Sequence, residues 1–237
     1  MSRKSQRNRP ADSAATNTTP TGSGKRALLI GLAVFAVFAI AAAVLLRGGR
    51  GVAESQDEAV RTAALASTHS PSEGDATAKV HIVEFLDPAC ETCAQFYPLV
   101  RNLMAQNPGR IRLSTRHLAF HEGSEYAVRV LEASRKQDKY WPTLEALFAR
   151  QAQWAPNHVA QPELVLQAVS SVGLDLDRLQ ADMNAPEVGE RIAQDLHDAV
   201  TLKVTATPEY FVNGRGLPEF GDQPLLQLVN DELPRAY

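Results

Sequence analysis

Cysteine is nearly absent from this chain of 237 residues. There are two, Cys90 and Cys93. That scarcity narrows the chemistry at once. A structural zinc site takes four ligands, commonly from two Cys-x-x-Cys pairs, and no second pair exists. Haem attachment needs a histidine directly after the second cysteine, and residue 94 is alanine. A purely structural disulfide across so short a loop would restrict the unfolded chain only weakly. Internal repeats are also missing, and so is a strong net charge, which stands at −3. Long apolar runs are absent too, with one exception, Ala27 to Leu46.

The small net charge hides an asymmetry. Residues 1–26 carry six basic side chains and one acid, whereas the remainder carries 18 basic and 26 acidic, a net of −8. A basic tail on an acidic body argues against nucleic acid as a partner and points to membrane orientation. The 20 uncharged residues 27–46 would span about 30 Å as a helix, the thickness of a bilayer core. They read as one uncleaved transmembrane helix. The excess of Lys and Arg before them places residues 1–26 in the cytoplasm as a disordered tail and the rest of the chain outside. A cleaved signal peptide is the rival reading, with a shorter apolar core and a small-residue cleavage site. Either way the two cysteines face an oxidising compartment.

Those cysteines form a Cys-x-x-Cys directly after an apolar β-type run, Val80 to Leu86, and before a helical stretch. The spacing lets one helical turn bring both sulfurs together. Cys90 falls at the helix start, where unpaired N–H groups and the helix dipole favour a thiolate. Cys93 lies one turn in, where burial disfavours its charge. The pair is therefore expected to be asymmetric, with Cys90 as nucleophile and Cys93 as the resolving thiol.

The rest of the chain reads in order. Residues 47–78 form a juxtamembrane linker with a short helix over 53–66, and His69 in it reads as a solvated loop residue. The folded domain is expected over 79–237. Within it, Lys79–Leu86, the dithiol helix and Ile111–His117 make a β-α-β unit. Helical segments fill about 122–203, with Trp154, Leu144 and Phe148 packing them. A strand at Glu209–Val212 turns at Asn213-Gly214 into a returning strand, Gly216–Phe220, and Pro224–Glu232 is a terminal helix. His117 and His121 read as incidental loop residues, and Asp87 and Pro88 as shaping the start of the dithiol helix.

The β-type run, Cys90-x-x-Cys93, the helical insertion and then Ala206-Thr207-Pro208-Glu209-Tyr210-Phe211-Val212-Asn213-Gly214 together resemble the thioredoxin superfamily, in its DsbA-like branch. The resemblance covers about residues 75–237. It implies an α/β thioredoxin-like fold, a central β-sheet with a helical insertion, here preceded by the transmembrane helix. It also implies that Pro208 is the family's cis-proline beside the dithiol. Thr207 would then offer its backbone to an extended polypeptide. Glu84 matches an acidic residue beneath the dithiol, and a carboxylate inside an apolar strand is costly unless it has a partner or a task. It would take and return the proton of Cys93. One departure stands out. The strongly oxidising DsbA proteins place Pro-His between the cysteines, and this chain has Glu91-Thr92, so Cys90 is expected to be less acidic and the couple less oxidising.

The expected function is that of a membrane-anchored, extracytoplasmic thiol-disulfide oxidoreductase. It would use no cofactor and no metal. Its partners would be cysteine-containing exported polypeptides, and a membrane redox protein or small thiol that resets the dithiol. A dedicated reductase or isomerase for one pathway, and a non-catalytic peptide-binding module, are the alternatives.

Overall fold

An apolar run before the dithiol helix and an alternating stretch after it become the paired centre of the sheet. The structure, a computed structural model, describes residues 56–237. The expected tail and transmembrane helix lie outside the described residues. Among the described residues no helix is long and apolar enough to cross a membrane.

Residues 56–65 form α1. The strands are β1 (Ser72–Glu73), β2 (Val80–Leu86), β3 (Ile111–His117), β4 (Glu209–Val212) and β5 (Arg215–Gly216), in the order β1-β3-β2-β4-β5. β2 and β3 run parallel, joined by α2 (Glu91–Gln106), and the other pairings are antiparallel. The insertion comprises α3 (Ser124–Ser134), α4 (Tyr140–Ala149), α5 (Gln151–Trp154), α6 (Pro162–Ala168), α7 (Leu176–Met183) and α8 (Pro186–Leu202). The last helix is α9 (Asp222–Ala236).

β2 is buried on both faces, which is why it reads as a continuous apolar run. Val80 and Ile82 point toward α2 and α9, where Val100, Leu103, Leu225 and Val229 meet them. Val83 and Phe85 point the other way, onto Ala64 of α1 and Ala199 and Leu202 of α8. Glu84 takes its place in the first of these rows, so a carboxylate sits on an otherwise apolar face. Trp154 anchors the insertion, fully buried, its indole N–H donating to the Leu147 carbonyl over 2.8 Å.

The linker, one histidine and the returning strand differ from the sequence reading. Residues 67–78 are not wholly a linker. Ser72 and Glu73 pair with Ser114 and Leu113, and the Thr115 N–H donates to the Pro71 carbonyl. That path carries His69 back over the molecule, so it is half-buried with Nε2 2.7 Å from Asp195 Oδ1, not a solvated loop residue. The draw is charge: Asp195 is buried beside Arg116, whose guanidinium is fully buried between Asp195 and Asp198. The returning strand after Asn213-Gly214 is two residues long, because Pro218 follows and cannot donate to a ladder. The turn itself is as expected, with positive φ at Asn213 and Gly214.

Candidate active site

The β2–α2 junction places the dithiol at the end of the parallel strand pair. Asp87 fixes the junction. Its fully buried carboxylate accepts from the backbone N–H groups of Ala89, Phe120 and His121, from the Ser124 hydroxyl, and lies 2.8 Å from His121 Nδ1. Gln151 of α5 clamps the same turn, donating from Nε2 to the Pro88 carbonyl over 2.7 Å and to the Cys90 carbonyl over 2.9 Å.

Cys90 is the N-cap of α2, with extended backbone angles and no side-chain cap of the ordinary kind. The Cys93 thiol, and then the backbone N–H groups of Cys93 and Thr92 and the Thr207 side chain, hold the Cys90 thiolate and outweigh burial, lowering its pKa to about 5. As a thiol it lies 3.2 Å from the Thr207 carbonyl oxygen. The Thr207–Pro208 peptide is cis. Pro208 is buried and Thr207 half-buried, so the peptide segment before β4 sits beside the reactive sulfur. Glu91 is exposed, where solvent screens its opposition to the thiolate.

Cys93 is the opposite case. It has no exposed surface, and burial pushes its thiol well above the ordinary range, with the Cys90 and Glu84 charges adding to the effect. Glu84 is fully buried on the same face. Tyr210, its register partner on β4, donates its hydroxyl to Oε1 over 2.9 Å. Burial raises the carboxyl to about 7, against the Tyr210 bond and with help from the Cys90 charge. Tyr210 is thus a core residue with a hydrogen-bonding duty.

The carboxyl makes a pH prediction. A raised acid pKa favours the folded state only while the group is protonated. Stability is therefore lost as pH climbs from the unfolded value toward and past 7. In the oxidised protein, where neither thiol titrates, Glu84→Gln should remove about 2 kcal/mol of the stability loss between pH 5 and pH 8. Urea unfolding at the two pH values measures it, and an unchanged loss in the variant would place the titration elsewhere.

Two histidines read as incidental are not. His117 is buried, with Nε2 2.7 Å from the Tyr140 hydroxyl. His121 is bound to Asp87 and stacks on His158 of the insertion, ring centroids 4.9 Å apart, and His158 Nδ1 lies 3.4 Å from the Ala89 carbonyl oxygen. Asn157 and His158 both carry positive φ, a strained route for non-glycine backbone. No local signal in the sequence marks Gln151 or His158, since their partners lie tens of residues away. Beyond the dithiol, Phe96, Leu99 and Phe220 line an apolar groove of about 490 Å³ beside α2. Among the described residues no cluster of three or more His, Cys, Asp or Glu is placed to hold a metal ion.

A parallel βαβ unit carrying a Cys-x-x-Cys at its helix start, opposite a cis-proline that opens an antiparallel strand, defines a thioredoxin-like dithiol protein. The family model described as thioredoxin matches residues 66–226, and the chain belongs to that family, with the helical insertion of its DsbA-like branch. It is 33% identical to a thioredoxin-like oxidoreductase from Silicibacter pomeroyi DSS-3. That structure superposes with a TM-score of 0.64, covering 73% of this chain and 98% of the other. Among curated proteins it is 35% identical over 144 residues to a Na(+)/H(+) antiporter NhaA of Herminiimonas arsenicoxydans, covering 61% of this chain. The match spans only 22% of that antiporter's length. It is 25% identical to a probable disulfide bond formation protein D of Bacillus anthracis, covering 68% of this chain and 77% of that protein.

Proposed function

We propose that this protein is a membrane-anchored, extracytoplasmic thiol-disulfide oxidoreductase. The observation that carries the reading is the asymmetry of the dithiol. One sulfur sits at a helix start with its pKa lowered to about 5, and as a thiol it lies 3.2 Å from a backbone carbonyl; the other is buried with its pKa raised.

Cys90 attacks, or is attacked, to form a mixed disulfide with a client cysteine. Cys93 resolves it, and Glu84 takes or returns the Cys93 proton. Thr207 offers its backbone groups to an extended client, which reads no sequence because main-chain bonds fit any residue. The apolar groove at Phe96, Leu99 and Phe220 receives neighbouring client side chains. The dithiol is itself the redox centre and needs no cofactor or metal. With no third cysteine the protein cannot reset itself, so a membrane redox protein or small thiol must do so. Residues 27–46 anchor the domain with the N-terminus in the cytoplasm, within reach of exported chains. Similarity to the thioredoxin-like oxidoreductase and to the disulfide bond formation protein supports this reading.

A Cys90 pKa of about 5 stands between the values of about 3.5 for DsbA and about 7 for thioredoxin. It supports a couple less oxidising than DsbA. The reduction potential of the couple, measured in glutathione buffer, decides the direction of electron flow. A potential at or above the glutathione pool makes the protein a donor of disulfides. One well below it makes it a reductase. Cysteines that fail to exchange at all would leave a peptide-binding module with a structural disulfide.

A further inference from the structure

Two peptide planes in the turn between β2 and α2 decide what the Cys90 sulfur meets. A peptide unit is rigid, so holding its carbonyl also aims its N–H. The first plane joins Pro88 to Ala89, and its N–H donates to Asp87 Oδ1 over 2.8 Å. The second joins Cys90 to Glu91. Its carbonyl opens the helix, but the intrahelical bond it accepts, from the Ala94 N–H, is long at 3.3 Å. Pro88, Ala89 and Cys90 are all buried, so their carbonyls need donors from the protein itself.

The donors come from the insertion. Gln151, the first residue of α5, is buried, and its amide nitrogen carries two hydrogens. It spends them on both planes, 2.7 Å from the Pro88 oxygen and 2.9 Å from the Cys90 oxygen. The first plane is thereby pinned at both edges, by Asp87 and by Gln151. The second is held more closely by Gln151 than by its own helix. Between them the Ala89 oxygen faces His158 Nδ1 at 3.4 Å, so all three carbonyls of the turn look toward the insertion. Gln151 is itself firmly placed. The Ala155 N–H donates to its carbonyl over 2.8 Å, Arg150 donates to the Ala168 carbonyl over 2.7 Å, and Trp154 is fully buried.

We infer that Gln151 is a positioning residue of the dithiol, through which the helical insertion sets the redox poise of the couple. The inference rests on the proposed exchange reaction at Cys90 and Cys93. Two effects run the same way. The Cys90–Glu91 plane carries the first N–H of the helix, and turning it turns the N–H groups that follow. Those of Thr92 and Cys93 hold the Cys90 thiolate. A Cys90 carbonyl without its donor also leaves the negative end of a dipole uncompensated close to the sulfur. Glu91 and Thr92 bring no positive charge between the cysteines, so the thiolate leans on this backbone. Gln151 never touches a client or a reacting sulfur; it acts through the turn. Fastening the insertion to the sheet would take one bond to any buried carbonyl. Gln151 instead divides its hydrogens between the two planes that lead into the reactive residue.

The test reads the dithiol rather than the stability of the insertion. Gln151→Met keeps side-chain length and helix propensity and removes both donors. Thiolate absorbance of the reduced full-length protein follows the Cys90 titration, and equilibration with glutathione follows the couple. In Gln151→Met the Cys90 midpoint should rise by about one pH unit. The glutathione equilibrium at pH 7 should move about tenfold toward the disulfide, a fall of about 30 mV in potential. Gln151→Asn keeps the donors but is one methylene short, so it should move both readings the same way by less. It keeps the test open should Gln151→Met fold poorly. Urea unfolding at pH 7 supplies the control, because a fastening role costs the oxidised and reduced forms alike, whereas positioning costs the reduced form about tenfold more. An unmoved Cys90 midpoint in the folded variants overturns the inference, whatever stability they lose. So does an equal loss in the two redox forms. The absorbance needs no client and no turnover, so a wild-type protein that exchanges no disulfides sinks the oxidoreductase reading by a separate result.

Discussion

Cys90→Ser should reduce catalysed disulfide exchange by about four orders of magnitude, to the rate without protein. The serine hydroxyl is not ionised at neutral pH and forms no disulfide, so the first bond of the cycle cannot be made. Cys93→Ser should fail differently. Cys90 loses the Cys93 thiol, its largest support, but keeps the backbone N–H groups of residues 92 and 93 and the Thr207 side chain, so it still attacks. With no resolving thiol, adducts with client cysteines accumulate and disappear on treatment with a reductant. Non-reducing gels of the two variants, incubated with a cysteine-containing polypeptide, read both outcomes. Exchange that persists in Cys90→Ser would end the catalytic reading. Client binding that persists without any adduct in either variant would leave the peptide-binding module.

The second large effect concerns the two redox forms. The Cys90 thiol is lowered from 9.0 to about 5 in the folded reduced protein. A depressed pKa stabilises the fold fully above the unfolded value and loses that contribution as pH falls through the folded one. At pH 7 the thiolate therefore favours the reduced fold by about 3 kcal/mol, and the oxidised protein has no such group. The short disulfide ring adds only a pH-independent offset. Glu84 titrates in both forms and cancels to first order. Urea unfolding of both forms from pH 4 to pH 7 should show the gap moving toward the reduced form by about 3 kcal/mol, and still moving up to pH 9. By linkage the same energy raises the reduction potential by about 60 mV over a dithiol with ordinary thiols. A gap that stays flat across this range would mean that Cys90 is not a thiolate at neutral pH.

What could be read from the sequence and what could not divide along a physical line. Ile111–His117 is a strand over the residues expected, read from its alternation, and the first strand starts one residue later than expected, at Val80, its apolar run made legible by burial on both faces. Asn213-Gly214 turns as its residue types demand. The dithiol and the Thr207–Pro208 segment are legible because each is a local motif. Their juxtaposition came from resemblance, since 117 residues separate Cys90 from its Thr207 contact. His117 shows the limit. Alone it is a histidine at the end of a strand. Its partners are Tyr140, Glu132 and Asp195, from three helices of the insertion, and no spacing announces them. His69 fails for the same reason: its partner is 126 residues away. Burial of Arg116 is likewise invisible until Asp195 and Asp198 arrive to neutralise it.

The sheet ends on both sides in strands of two residues, Ser72–Glu73 and Arg215–Gly216. A protein that exchanges disulfides with extended clients, as proposed above, runs the risk of becoming a template for them, because an open strand edge pairs with any extended neighbour and seeds aggregation. Here each edge offers too short a ladder to hold one. The half-buried Thr207 backbone is different, standing outside the ladder and beside the reactive sulfur. On the proposed reading, the truncated edges and the open Thr207 stretch together would let a client dock for one exchange and still be released.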